Sequence, residues 1–286
     1  MTTEHVTTEH GAVEHGAVEH GAVEHGAAEA SEDWKHWHEH RVETVSAPHG
    51  PLALSGTHWI EDYPEGRLPD MPGRWAADGD AVVLTAAAAD GLLVDGRPFT
   101  GEVRLGADPG PAAEARVAYA ERRFAVLVRE GVWGVRDFDP ASPARHEFRG
   151  IEATPYDPRW SVPGRFIPYE EDRTVRVANA DGRERGLGLG GELAFRLDGQ
   201  DLTLQVAVQA DGSLWAVFGD ATSGNGSYRF RFLRTAAPDA EGRTTVDLNR
   251  SLLPPCAFAD HFICPFPPPG NTLGAAIAAG ERDLLR

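Results

Sequence analysis

The sequence predicts a mainly β protein: two packed β sub-structures, sandwich- or barrel-like and built from hairpin meanders, with one N-terminal helix and one short C-terminal helix. Three observations predict it. Asp-Gly pairs recur at 78–79, 90–91, 95–96, 181–182, 198–199 and 211–212. Such a pair between apolar runs signals a hairpin, because both residues tolerate positive φ. Apolar and polar residues alternate over short runs, the period of a strand with one buried face. The runs are spaced by turns at short intervals, as in sandwiches and barrels.

The first thirty residues stand apart. Glu-His pairs place histidines at His5, His10, His15, His20 and His25. A five-residue period matches neither a helix face nor a strand face. So polar a segment cannot repay its ordering entropy, so residues 1–30 are expected to be a disordered tail. Flexible histidines of this kind capture a metal only weakly.

A helix is predicted over 31–47, with Ser31 as N-cap. Trp34, Trp37, Arg41 and Val45 fall at spacings of three and four and form one stripe. Pro48, Gly50 and Pro51 end it. His36 and His40 have the spacing of two metal ligands, but nothing at a fixed spacing completes a site, and no metal is assigned.

Strands follow at 81–84, 91–96, 102–105, 115–120, 123–130 and 132–138. The prolines Pro155, Pro158, Pro163 and Pro168 are expected to interrupt pairing over 150–171. A sub-domain boundary is placed there, giving 31–150 (helix plus β) and 151–286 (β plus strap). The clearest meander is 191–220, where Leu193, Phe195 and Leu197, then Leu202, Leu204, Val206 and Val208, then Leu214 and Ala216 alternate. Residues 228–233 add a strand. The Ala-rich run 272–282 is predicted to be a closing helix that ends near Gly280.

Composition narrows the function. The 286-residue chain is 41% hydrophobic and 25% charged, ordinary for a globular protein. Its net charge is −17, and setting aside the seven Glu of residues 1–32 leaves about −10. An acidic surface repels phosphate backbones, so neither nucleic acid nor an anionic membrane is an expected partner. No apolar run is long enough to span a membrane, and the N-terminus lacks the basic start and apolar stretch of a secretory signal. A cytoplasmic protein is expected.

The segment DLNRSLLPPCAFADHFICPFPPPGN, 247–271, carries both cysteines, Cys256 and Cys264, and six of the 21 prolines. Proline fixes φ and lacks a donor, so this strap must run irregularly, and its carbonyls need partners. Asn249 and Arg250 are suited to supply them, with Asp247 holding Arg250. Alternatively Arg250 presents its fork to a carboxylate or phosphate in a pocket walled by the strap. The thiols have four readings: buried and reduced, joined as a disulfide, ligating zinc with His261, or nucleophilic with His261 or His58.

Several stretches together carry a resemblance: HGPLALSGTHWI (49–60), ATPYDPRW (153–160), GRFIPY (164–169), FGDATSGNGSYRFRFL (218–233) and 247–273. Over residues 31–286 the chain resembles the bacterial domain-of-unknown-function family numbered 1684. The resemblance implies a predominantly β fold and no activity. Ser251, Leu252 and Leu253 stand where the family pattern has Ala, Tyr and Asn.

The polar motifs in irregular segments lead to one expected site. A small-molecule pocket near the strap is expected to be lined by Arg250, Asn249, Asp247, Tyr228, Asp220, His58 and Trp160. The Gly-rich loop 219–228 contributes Asp220 and Tyr228 and binds an anion only if its amides are free. The competing readings are a structural protein without chemistry and a hydrolase-type enzyme pairing His58 or His261 with an aspartate. Cofactor, oligomeric state and ligand identity have no signature in the sequence.

Overall fold

The computed structural model describes residues 15–285. The fold is mainly β, and five of the six Asp-Gly pairs turn between paired strands as expected; Asp90–Gly91 instead ends a short 3-10 helix between two strands of different sheets. Asp95–Gly96 and Asp198–Gly199 have positive φ at both residues, at 51° and 73° and at 48° and 79°. This is the turn whose twist matches paired strands.

The predicted tail and helix are corrected at one point. Helix α1 runs His15–Ser46, beginning inside the Glu-His repeat instead of at Ser31. Residues 1–14 of the expected tail lie outside the described residues. The predicted stripe begins only at Trp34. Its members pack onto the strap: Trp34 Nε1 donates to the Asn249 carbonyl (2.8 Å), and Arg41 Nη2 to the Leu253 carbonyl (3.1 Å). Val45 is fully buried against Leu52, Ile151, Leu253 and Phe258.

The N-terminal half pairs β1 (Leu54–Trp59), β2 (Arg74–Asp78), β3 (Ala81–Ala86), β4 (Leu92–Val94), β5 (Arg97–Pro98), β6 (Gly101–Leu105), β7 (Val117–Tyr119), β8 (Arg122–Arg129) and β9 (Val132–Phe138). They form a six-stranded antiparallel sheet, β1-β9-β8-β7-β4-β5, and a three-stranded one, β2-β3-β6. Trp75, Leu84, Leu92, Phe124 and Val135 fill the core that the two sheets share.

The C-terminal half contains the short helix α2 (Pro143–Glu147), then β10 (Gly150–Ala153), β11 (Ser161–Ala178), β12 (Glu184–Leu197), β13 (Gln200–Val208), β14 (Leu214–Phe218), β15 (Arg231–Thr235), β16 (Arg243–Asp247) and β17 (Glu281–Leu285). A six-stranded half-barrel has the order β15-β14-β13-β12-β11-β16, while β10 pairs with β17. The alternating residues of the predicted meander, Leu193, Phe195, Leu197, Leu204 and Val206, point into its core.

Two expectations fail here. Strand β11 runs through Pro163 and Pro168, which were expected to interrupt pairing. Pro163 precedes Gly164, the first residue paired to β12, and Pro168 sits at the register shift before Arg173. At such positions the missing N–H is tolerated. The Ala-rich run 272–282 is not a helix. It is an irregular segment whose Leu273, Ile277 and Ala279 enter the half-barrel core, and it leads directly into β17. Its carbonyls are taken by Arg231, whose Nη2 donates to the Ile277 carbonyl (2.7 Å) and whose Nη1 donates to that of Ala279. Partners from outside the segment replace helical bonds.

Gly280 terminates this segment at φ +77°, where an added Cβ would lie 2.7 Å from Ser251 Cβ and 2.8 Å from its carbonyl oxygen. Left-handed strain and overpacking add, so Gly280→Ala should destabilise the protein by about 3 kcal/mol, read as a lower midpoint in urea at unchanged slope.

A further cluster joins the two halves through the strap. Ala53, Leu54 and Phe138 from one half meet Val217 and Phe230 from the other across Cys256, Phe262 and Cys264.

Candidate functional site

The seven residues expected at one pocket are placed in separate structural knots. Asn249 is fully buried, and both ends of its amide are used. Its Oδ1 accepts from the Asp157 amide (3.0 Å), and its Nδ2 donates to the Asp157 carbonyl (3.1 Å) and to Asp247 Oδ1 (2.9 Å). Arg250 Nε pairs with Asp247 Oδ2 (3.3 Å), its Nη2 with Asp33 of α1, and its guanidinium lies 5.3 Å from the Trp37 ring centre. Its charge therefore fastens α1 to the strap. Asp220 is buried with Arg231 (2.7 Å) and also accepts from the Thr222 amide (2.7 Å). Tyr228 O–H donates to the Cys256 carbonyl (3.1 Å).

Trp160 is a core residue of the half-barrel, 4% exposed, with Arg159 over its face. His58 is half-buried edge-to-face on Tyr63, and burial pushes its imidazole below the ordinary histidine range, with Asp137 opposing. Among the described residues neither His58 nor His261 has a carboxylate in ion-pairing distance, so the geometry for a His/Asp acid–base pair is missing. None of the seven lines either cleft described below.

Asn249→Ala should consequently act on the fold. It strands the Asp157 amide and carbonyl, and should cost about 2–3 kcal/mol in chemical denaturation while leaving binding of small anions unchanged.

Two clefts border the strap. One, of about 340 Å³, has Leu52, Phe148 and Phe258 in its floor and exposed Glu147, Asp260 and His261 around it. Its buried Ser142 hydroxyl is satisfied by the Leu52 carbonyl (2.6 Å). The other, of about 380 Å³, lies where both halves meet the strap. Its walls are Arg129 of β8, Arg136 of β9, Asn179 just after β11, Arg185 of β12, and strap residues Pro255, Phe262, Ile263, Cys264 and Pro265.

This second cleft differs in its electrostatics. Arg185 is neutralised by Asp181 through two bonds of 2.8 Å and stacks on Trp59. Arg136 and Arg129 have no carboxylate partner among the described residues. Arg136 Nε is buried without a hydrogen bond, and so is Asn179 Oδ1. The Arg136 guanidinium rests on the Phe262 ring (5.2 Å). Burial, helped by repulsion from Arg129, pushes its pKa down to about 10, which still leaves it charged at neutral pH. Buried charges are ordinarily paired because desolvation is costly. A half-buried guanidinium with no carboxylate partner among the described residues makes this cleft the candidate site of the chain.

The strap holds this geometry by pairing with the end of β11. The Ala180 amide donates to the Cys264 carbonyl (2.9 Å), and Asn179 Nδ2 to the Ile263 carbonyl (2.9 Å). Arg136 was missed because its strand, VWGVRDF, gives no sign of which face is covered. The available signal was a charge on the same face as Gly134 and buried Phe138.

Residues 146–282 match the family model described as "Protein of unknown function (DUF1684)". The chain belongs to this family. The DUF1684 segment spans the half-barrel and the strap, and so supplies Asn179, Arg185 and Cys264 to the cleft. Arg129 and Arg136 come from the preceding half. The chain is also similar to an uncharacterised protein from Haloarcula marismortui, known from a solution NMR structure, with 32% identity over 48% of this chain and 78% of that one and a TM-score of 0.41. No curated protein matches the chain.

Proposed function

We propose that this DUF1684 protein binds a small anionic molecule, a carboxylate or a phosphate, in the cleft between β8, β9 and the strap. The observation that carries the reading is Arg136: a half-buried arginine whose Nε is buried without a hydrogen bond, with no carboxylate partner among the described residues. Arg136 supplies planar donors for two anion oxygens, and Arg129 adds charge at the open side. Phe262 and Ile263 provide an apolar wall for the rest of the ligand. The expected small-molecule pocket near the strap is retained, with a different set of residues.

The acidic balance of the chain argues against nucleic acid, since a single pair of free arginines cannot track a phosphate backbone. Among the described residues no helix is long and apolar enough to cross a membrane. Two free thiols support a reducing, cytoplasmic setting, and the family resemblance supports a bacterial one.

Thermal unfolding in the presence of inorganic phosphate, citrate and a nucleoside monophosphate tests the reading. At least one anion should raise the midpoint saturably, and Arg136→Leu should abolish that rise. Equal shifts in both proteins would assign the effect to general salt.

A further inference from the structure

The two thiols meet behind the anion cleft in an arrangement that a pair of small core residues does not need. The Cys256 amide donates to Cys264 Sγ (3.3 Å). Tyr228 O–H lies 3.7 Å and Arg229 Nη2 4.0 Å from Cys256 Sγ. Arg229 is exposed, has no carboxylate partner among the described residues, and is layered on the Tyr228, Phe230 and Phe266 rings. Its position is thereby fixed without a counter-charge. Both cysteines are free and nearly buried, and Cys264 opens onto the cleft.

We propose that Cys256 and Cys264 form a redox-active dithiol that reduces a small hydroperoxide, with Cys256 as the attacking thiolate and Cys264 as the resolving thiol. Arg229 Nη2 is the charged donor at Cys256 Sγ, and the Tyr228 O–H, which donates to the Cys256 carbonyl, lies beside the sulfur. The adjoining Cys264, Tyr228 and Arg229 outweigh burial and hold the Cys256 thiol below the ordinary cysteine range, while Cys264 is pushed up. The charged groups around the pair are Arg229 on one side and Arg136 beyond Cys264 on the other, both favouring a thiolate. Burial admits only the smallest oxidants.

In the first step the Cys256 thiolate attacks one peroxide oxygen. The O–O bond breaks, an S–OH group forms, and the departing hydroxide or alkoxide takes a proton from solvent. Cys264 then loses its proton and attacks the Cys256 sulfur. The S–S bond forms and hydroxide leaves as water. In sum, two thiols and one hydroperoxide give a disulfide, water and an alcohol or a second water. A low-molecular-weight thiol restores the pair by exchange. The inference is independent of whether the cleft also holds an anion.

The test uses the full chain, reduced and freed of reductant, exposed to hydrogen peroxide at pH 7. Remaining thiols are then alkylated after unfolding and counted by intact mass. Both thiols should vanish together, with the mass falling by two hydrogens. Cys264→Ser should stop at a sulfenic acid trapped by dimedone. Arg229→Leu, at an exposed position, should keep its circular dichroism spectrum and react about tenfold more slowly at pH 7 through loss of thiolate. The wild-type rate should fall as pH drops through the lowered range of the Cys256 thiol. Two alkylatable thiols surviving a dose that consumes free cysteine in the same tube would overturn the proposal. So would an Arg229→Leu rate equal to wild type, a result that stands even where Cys264→Ser fails to fold.

Discussion

Arg231→Leu should destabilise the protein by about 3–5 kcal/mol, the largest effect expected of any charged residue in this chain. Arg231 and Asp220 are both fully buried, 2.7 Å apart. Removing the guanidinium leaves a buried carboxylate with only the Thr222 and Ile277 groups as donors. It also frees the carbonyls of Ile277, Ala279 and Glu281, which Arg231 otherwise binds. The segment that seals the half-barrel would lose its anchor, since it has no helical bonds of its own. Exposed pairs such as Arg183 with Glu61 should cost under about 1 kcal/mol on the same change. The Asp220→Leu, Arg231→Leu double variant should lose less than the two single losses combined, because the stranded charge is gone. A double-mutant cycle in urea measures the difference; additive losses would mean the pair is not coupled.

Arg136→Leu should have the opposite sign. Its guanidinium is desolvated and finds no carboxylate among the described residues, so an apolar side chain over Phe262 should leave stability unchanged or raise it by about 1–3 kcal/mol. The same change should weaken anion binding by about tenfold to a hundredfold, the loss of charge-assisted bonds. Unfolding in urea without ligand reads the first effect, and calorimetric titration with inorganic phosphate or citrate reads the second. A loss of stability comparable to that of Arg231→Leu would place Arg136 among the structural arginines.

These two arginines also show where the sequence is silent. Hairpins and the meander were legible because Asp-Gly turns and a period of two are local properties. In 228–233, Arg229 and Arg231 alternate with Phe230 and Phe232 and read as one solvent-facing pair. Arg231 is instead fully buried and Phe232 half-exposed, because the segment 277–281 covers that face. The covering segment was itself misread: its alanines favour a helix locally, and only Asp220 and Arg231, distant in sequence, make the irregular path stable. Strand β11 was hidden by prolines whose harmlessness depends on which neighbour pairs where. The strap was correctly read as pinned, and the Asp247–Arg250 pair is present. The buried pins, however, are Asn249, Glu281 and Asn271. Glu281 Oε2 accepts from the Leu253 amide (2.6 Å), and Asn271 Nδ2 donates to the Val217 carbonyl (2.9 Å). The thiols were identified, but their contacts with Tyr228 and Arg229 depend on tertiary structure alone.

The central claim is that the unpaired charge in the cleft, and not the arginine of the strap motif, receives the ligand. The most direct test is to follow arginine Nε–H resonances by NMR during titration with inorganic phosphate and citrate, with signals assigned through Arg136→Lys and Arg250→Lys. A saturable shift of Arg136 Nε–H is expected, with Arg250 unmoved. A saturable shift at Arg250 with Arg136 unchanged, or shifts confined to exposed arginines and linear in salt, would contradict it.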